Sequence, residues 1–298
     1  MHRSSCAACQ GELRPSLDVD GFRYLRCGTC GTLNLDNTPS ADALTSLYQR
    51  DDTWTSTKAP ELDDPDAQNR ETRLRLRLLR DVGANLERVF ELGPGLGYLA
   101  RALVKRGSRV TAFELHAVAN ERLRSFGITA VDDLENAAGA YDTILLWGVV
   151  EHLDDPFATL SMLERHLAPG GSFVILTEDS TSLLARLSGP RWTWLLPPEH
   201  IVLFSRQGLS LCLARLGFEL AAWRRWPANV RAIAGTLLGR ERGLRARREF
   251  RDARRAADQG RGAGGLVRVA KRILDTTLWP LSEHKLYRFT RTTRGPSE

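Results

Sequence analysis

The segment Val89-Phe90-Glu91-Leu92-Gly93-Pro94-Gly95-Leu96-Gly97 constrains the fold of this chain more than any other. An apolar run of strand length is followed at once by three glycines at alternate positions. Next comes a helix-forming stretch, Leu99 to Arg106, which Gly107 ends. In that order the three pieces deliver a helix N-terminus, with its free N–H groups, to the carboxyl end of a strand. The glycines let a ligand approach the backbone there. The rest of the chain repeats the alternation. Arg109 to Phe113, Ile128 to Val131, Asp142 to Trp147, Ser172 to Thr177 and Phe218 to Trp223 read as strands. Ala117 to Phe126, Pro156 to Leu167 and Leu209 to Leu216 read as helices. Strands separated by helices predict a parallel sheet covered on both faces. With Leu286 to Thr290 as a last strand, the expectation is an α/β, Rossmann-like, doubly wound seven-stranded sheet.

A second feature lies ahead of it. Four of the five cysteines form Cys6-Ala-Ala-Cys9 and, 17 residues later, Cys27-Gly-Thr-Cys30. Two C-x2-C pairs at this distance are the pattern of a tetrahedral zinc site, since each tight turn aims two thiolates at one ion. Gly28 and Gly31 are expected to relieve crowding around the sulfurs, and Arg23 to Leu25 to form a short strand. Four thiolates close the coordination shell, so the ribbon reads as a structural staple, with a nucleic-acid-binding ribbon as the alternative. Two matched pairs fit a metal better than a redox dithiol. Cys212, inside an apolar helical pattern, reads as a core residue.

The glycine turn is Glu-x-Gly-x-Gly-x-Gly, where a dinucleotide fingerprint needs G-x-G-x-x-G. It resembles motif I of class I S-adenosylmethionine-dependent methyltransferases. Three further motifs follow in the order of that family. Glu114 ends the second strand, Tyr141 to Pro156 contains Trp147-Gly148-Val149-Val150-Glu151-His152, and Leu167-Ala168-Pro169-Gly170-Gly171 precedes the fifth strand. The four-cysteine head, a Pro198-Glu199-His200-x-x-x-Phe204-Ser205 segment and a Gly217-Phe218 strand opening narrow the likeness. Together they are similar to zinc-ribbon methyltransferases of the sugar C-methyltransferase type and their relatives, over roughly residues 1–226. Those sugar enzymes carry a further C-terminal domain, and tyrosines where this chain has Asp51-Asp52-Thr53-Trp54.

The resemblance implies S-adenosyl-L-methionine bound by Glu91, Gly93, Gly95, Gly97, Glu114, Asp133 and Trp147, and Zn2+ held by Cys6, Cys9, Cys27 and Cys30. Glu114 would accept hydrogen bonds from both ribose hydroxyls, and Asp133 would lie at the adenine. A sulfonium methyl is already activated, so the protein must align the acceptor and keep water away. An alcohol or carbon acid must also lose a proton. His200 is the candidate base, with Glu199 orienting it or binding substrate; the alternative is a histidine that only braces its loop. Glu151-His152 reads as support for the cofactor site, with His152 a second candidate base. Trp192, Trp194, Leu195 and Leu196 would wall an apolar pocket or cap the sheet edge. His116, His166 and His284 read as surface or capping residues. No Asn/Asp-Pro-Pro-aromatic motif follows the fourth strand, and no cysteine lies near the fourth or fifth. Both facts argue against amine methylation of nucleobases and against thiolate-assisted cytosine chemistry.

Charge is divided unevenly. Residues 221–298 carry 19 Lys and Arg against 7 Asp and Glu, within a chain of net charge +6. Ala228 to Ala257 reads as a basic helix, and Leu266 to Leu278 as a second one, inserted before the last strand. A lid or packing role is expected, with peripheral membrane contact through 228–280 as an alternative. The organisation is then a zinc ribbon over 1–38, a helical linker over 39–85, the catalytic domain over 86–226, a helical insertion over 227–284, and a last strand and tail over 285–298. Loops and short helices are expected over 31–70. The acceptor would be a small molecule: a sugar, glycolipid or natural-product precursor methylated on oxygen or carbon. An rRNA or tRNA substrate is the alternative, because the arginines suit phosphates, and a non-catalytic scaffold is a third reading. No apolar signal core follows Met1, so a cytoplasmic chain with reduced thiols is expected.

Overall fold

The computed structural model describes residues 2–49, 65–137, 139–227 and 282–292. The basic stretch 228–281 and the segment around Asp51 and Trp54 lie outside the described residues, and with them the expected helical insertion.

The chain opens with three antiparallel strands, β1 (Leu13–Val19), β2 (Phe22–Cys27) and β3 (Leu33–Leu35). The β1–β2 hairpin turns at Asp20-Gly21, both with positive φ, as a two-residue turn matched to strand twist requires. The sequence pattern assigns residues 33–35 to loops, and they are a strand instead. Their partner explains why: β3 pairs with β9 (Val202–Leu203), a two-residue strand some 170 positions on. Helices α1 (Ala41–Gln49) and α2 (Pro65–Asp81) follow.

The large sheet comprises β4 (Arg88–Leu92), β5 (Arg109–Phe113), β6 (Thr129–Val131), β7 (Tyr141–Trp147), β8 (Leu167–Glu178), β10 (Phe218–Arg225) and β11 (His284–Arg291). They lie in the order β10-β11-β8-β7-β4-β5-β6. β11 runs antiparallel to both neighbours, and the other strands are parallel to one another. The helices between them are α3 (Tyr98–Val104), α4 (Ala117–Ser125), α5 (Pro156–Glu164), α6 (Leu183–Ser188) and α7 (Arg206–Ala214).

Alternate residues of the same strands feed two cores. Phe90, Leu92, Ile144, Leu146, Phe173 and Ile175 face one side; Val89, Val110, Leu145, Val174, Leu176 and Leu286 face the other, against Leu79 of α2 and Leu99 and Leu103 of α3. The first core runs without a break into the N-terminal ribbon through Tyr24, Leu33, Leu35 and Cys6. The ribbon is therefore not a separate lobe beside the domain. Its sheet is completed by β9, and its core is part of the domain's core. Cys212 is buried in the same cluster, as its pattern suggests.

The strand order reverses between β4 and β7. At such a switch point the connections leave in opposite directions and open a crevice at the strands' carboxyl ends. Glu91 and Gly93 stand at the end of β4, and Trp147 and Gly148 at the end of β7.

Candidate active site

Gly93, Gly95 and Gly97 all have positive φ, which L side chains rarely adopt. Two of them are also closed off sterically. A Cβ on Gly93 would lie 2.8 Å from Val149, and one on Gly97 would lie 2.5 Å from Leu123 of α4. At Gly93 and Gly97 the turn therefore has no room for a side chain. The Gly95 N–H donates to Glu114 Oε2 at 2.9 Å, and the His116 N–H donates to Glu114 Oε1 at 3.3 Å. These bonds fix the carboxylate at the end of β5 and leave a lone pair on each oxygen, as paired ribose hydroxyls need. Asp133 caps the helical turn Leu134–Asn136, accepting from the Glu135 N–H at 3.0 Å. It stands just after β6, on the same edge of the sheet.

Glu91 is buried beneath the turn, and its Oε2 has no hydrogen-bond partner among the described residues. Burial pushes its carboxyl up to about 7, against the pull of the Arg75 guanidinium. Trp147 closes this end of the crevice, with Arg75 over its ring at 5.0 Å and Trp226 edge-on at 5.7 Å. An adenosine with a charged amino-acid end suits these groups: hydroxyl acceptors on one side, a buried carboxylate and a guanidinium on the other.

Val149 leads into the helical turn Val150–His152, so the contact between Gly93 and Val149 joins this cradle to a second cluster. Glu151 is buried and accepts from Thr177 Oγ1 at 3.0 Å. Burial first, and then the neighbouring Glu178 carboxylate, push its carboxyl well above the ordinary range. His152 Nδ1 donates to the Glu199 carbonyl at 2.9 Å, which leaves Nε2 as the acceptor. The His200 ring is buried, edge-on to His152 at 4.7 Å and parallel to Trp194 at 6.2 Å. Polar atoms of Glu151, His152 and His200 all lie within 4.8 Å of one another. The structure therefore brings the two candidate bases of the sequence, His200 and His152, together with Glu151, which the sequence pattern places in support of the cofactor site. Glu199 joins them through its main-chain carbonyl.

Several partners of this cluster are invisible to sequence reasoning. His284 is no surface residue: its Nε2 lies 3.2 Å from Glu178 Oε1, across the paired ends of β11 and β8. Burial would raise the Glu178 carboxyl, but the His284 hydrogen bond and the nearby His200 outweigh it and hold it down at about 2. The Glu178 carboxylate in turn raises His284 against its own burial. His116 is buried at the N-cap of α4. Both Trp192 and Trp194 donate their indole N–H to Glu283, so these tryptophans are held from the last strand's approach. Only chain connections of about 90 residues or more make these contacts, and no local pattern announces them.

The ribbon reaches the same cluster. Tyr24 Oη donates to the His200 carbonyl at 2.7 Å, the Ile201 N–H donates to the Glu151 carbonyl at 2.8 Å, and the Leu35 N–H donates to the Ile201 carbonyl at 2.8 Å. Ser205, which caps α7, donates to the Cys30 carbonyl at 2.5 Å. Cys6, Cys9, Cys27 and Cys30 converge, with sulfur separations of 3.7 Å for Cys6–Cys30 and 3.5 Å for Cys9–Cys27. A tetrahedron of sulfurs about 2.3 Å from zinc has edges of roughly 3.8 Å, so the group fits that ion. Gly31 has positive φ; Gly28 is exposed, and a Cβ there would meet nothing, so it relieves no crowding.

This strand order, with its one antiparallel strand and a glycine cradle at the switch point, defines a class I S-adenosylmethionine-dependent methyltransferase domain. The profile of the family described as "Methyltransferase domain" matches residues 65–222, and the chain belongs to that family. It is similar to a ubiquinone biosynthesis O-methyltransferase of Xanthomonas axonopodis pv. citri, 31% identical over 118 residues, or 35% of this chain and 49% of that one. It is also similar to a tRNA U34 carboxymethyltransferase of Alteromonas mediterranea, 29% identical over 155 residues, or 44% of each chain. The chain thus spans about half the length of the curated relatives it matches. Among solved structures, magnesium protoporphyrin IX methyltransferase of Synechocystis PCC 6803 with bound S-adenosylhomocysteine superposes with a TM-score of 0.53 at 13% identity, over 85% of this chain and all of that one. The 4+2 cyclase SpnF superposes with a TM-score of 0.51 at 15% identity, over 83% of this chain and 97% of that one. Those two likenesses speak for the fold alone.

Proposed function

We propose that the protein transfers the methyl group of S-adenosyl-L-methionine to an oxygen or carbon of a small molecule, a sugar, glycolipid or natural-product precursor, in the cytoplasm. The observation that carries the reading is the junction of the two clusters: the glycine cradle packs on Val149, one residue before the turn that presents Glu151 and His152 to His200. A donor in the cradle would direct its sulfonium methyl toward that cluster. His200 takes the proton of the acceptor, His152 packs against it, and the carbonyl of Glu199 fixes the His152 tautomer. Trp194, parallel to His200, forms the apolar wall that keeps water from the methyl group. Isothermal titration of the full chain with S-adenosylmethionine and S-adenosylhomocysteine tests donor binding; absence of both isotherms overturns the reading. Labelled methyl donor with a cell extract then names the acceptor from the labelled product.

A single zinc ion on Cys6, Cys9, Cys27 and Cys30 completes the proposal. Such an ion supplies structure and no Lewis acidity, because its shell is closed. The sulfur spacing supports it. Metal analysis of reduced protein should give one equivalent, and Cys27→Ser should release it.

The tRNA-modifying relative, with the excess of arginine in residues 221–298, favours RNA as the second reading. A gel shift with bulk RNA that vanishes as salt is raised would support it, and absence of a shift at low salt would remove it.

A further inference from the structure

His200 sits among ionisable groups delivered by four other parts of the chain. Tyr24 of β2 donates to its carbonyl, Glu151 and His152 come from the turn after β7, Glu178 ends β8, and Glu283 and His284 open β11. Burial and the neighbouring Glu178 both oppose charge on Glu151. Glu283 is taken up by the indole N–H groups of Trp192 and Trp194, and Lys285 by Asp179. Glu178 is therefore the buried carboxylate that the imidazoles meet. Its Oε1 lies 3.2 Å from His284 Nε2, and the strand register sets the two residues directly opposite one another on β8 and β11. His200 is near enough for its charge to stabilise the same carboxylate. Trp194 packs on both imidazoles, parallel to His200 at 6.2 Å and edge-on to His284 at 4.4 Å. Two rings are thus held in place around one carboxylate, in surroundings where a charge acts strongly on its neighbours.

We propose that Glu178 is a positioning residue for the base: its carboxylate is shared by His200 and His284, and it stabilises the imidazolium that forms as His200 takes the acceptor's proton. This rests on the reading of His200 as the base. The proton passes from the acceptor's oxygen or carbon to His200. The electron pair left behind forms the new bond to the methyl carbon, and the carbon–sulfur pair departs with the sulfur as a thioether. His200 enters that step neutral and leaves it charged, at a buried position where an unpaired cation is costly. A carboxylate alongside lowers that cost. His284 works against it. Bound to the same carboxylate, which favours its charged form, His284 offsets part of the negative charge that His200 would meet. The proton affinity of His200 is then set from two directions.

Titration of the histidine rings by nuclear magnetic resonance on the full chain tests this whatever the acceptor is. The chain has six histidines, and His200→Gln identifies the His200 signal by its loss. Glu178→Gln should weaken proton binding at His200 about tenfold or more, the effect of losing an opposite charge a few ångströms away. His284→Gln keeps a donor toward Glu178 and removes the competing cation, so proton binding at His200 should strengthen, by about threefold. Transfer of labelled methyl groups to the acceptor in a cell extract should fall about tenfold in Glu178→Gln. Affinity for S-adenosylhomocysteine should match wild type in both variants, which also shows that they fold. Shifts of His200 in one direction in both variants, or in neither, overturn the proposal, and so does full methyl transfer by Glu178→Gln. Should Glu178→Gln not fold, the sign of the shift in His284→Gln decides alone. Wild-type transfer by His200→Gln would instead overturn the reading of His200 as the base.

Discussion

The proposed donor and acceptor halves of the crevice are built by different rules. The donor half draws on residues 88–147, in which each strand delivers its groups at or directly after its carboxyl end: Glu91 near the end of β4 and Gly93 after it, Glu114 after β5, Asp133 after β6. The acceptor half gathers Tyr24, Glu151, Glu178, Trp194, His200 and His284, residues from five distant parts of the chain. The first half is a local device repeated along the sequence. The second exists only when the ribbon, the β8–β11 pair and the loop before β9 have all docked. Damage in the donor half should therefore stay local, and damage in the acceptor half should spread.

The largest effect belongs to His200, the proposed base. His200→Gln should lower methyl transfer by about 10²- to 10⁴-fold, the usual worth of a positioned proton acceptor. Its affinity for S-adenosylhomocysteine should match wild type. Transfer of labelled methyl groups to the extract's acceptor measures the first and calorimetry the second. Equal loss in both would break the separation of the two halves.

Next comes the donor half. Glu114→Ala removes the carboxylate that the Gly95 and His116 N–H groups orient. Donor affinity should fall roughly 10- to 100-fold as ribose hydroxyls lose their acceptor. Hydrogen exchange at residues 198–205 should not change, since that loop hangs from the ribbon.

Gly208→Ala tests the docking of the ribbon. A Cβ at that position would run into Thr32 Oγ1 and lie 3.2 Å from Cys30 Sγ, at the first turn of α7. Overpacking of this kind costs about 1–3 kcal/mol. Urea unfolding should show the loss, and hydrogen exchange should rise at 33–35 and 200–205 while residues 88–114 keep their protection. A uniform rise would mean that the halves unfold as one.

The smallest effect is the pH dependence of stability without ligand. Burial raises Glu91 to about 7 and Glu151 well above its ordinary value, and Glu178 raises His284. In each case the native state holds a proton that the unfolded chain releases. Stability from these groups is present below their unfolded values of 4.5 and 6.5, and it is lost as pH rises through the native ones. Glu178, held at about 2, works the other way: its contribution is present above 4.5 and lost in acid. The unfolding free energy should peak near about pH 5 and decline toward pH 8. Glu91→Gln should flatten that decline, as thermal unfolding across the range would register.

The chain's own pattern determined the seven strands, the helices between them other than α6, the glycine cradle and the four-thiol cluster, because each follows from short-range rules. Alternation of strand and helix forces a covered parallel sheet, positive φ after a strand demands glycine, and a two-residue gap aims two sulfurs at one point. His200 was legible as a candidate beside Glu199, but its surroundings were not. Only the tertiary structure decided that β3 is a strand, since a three-residue segment pairs only where an edge is offered, and β9 supplies it. It alone turned His284 from a surface histidine into the partner of Glu178, and brought Arg75 over Trp147. A buried charge draws its meaning from the group it meets, and that group stands 106 residues away from Glu178 and 72 from Arg75. No periodicity in a sequence spans such distances; packing does.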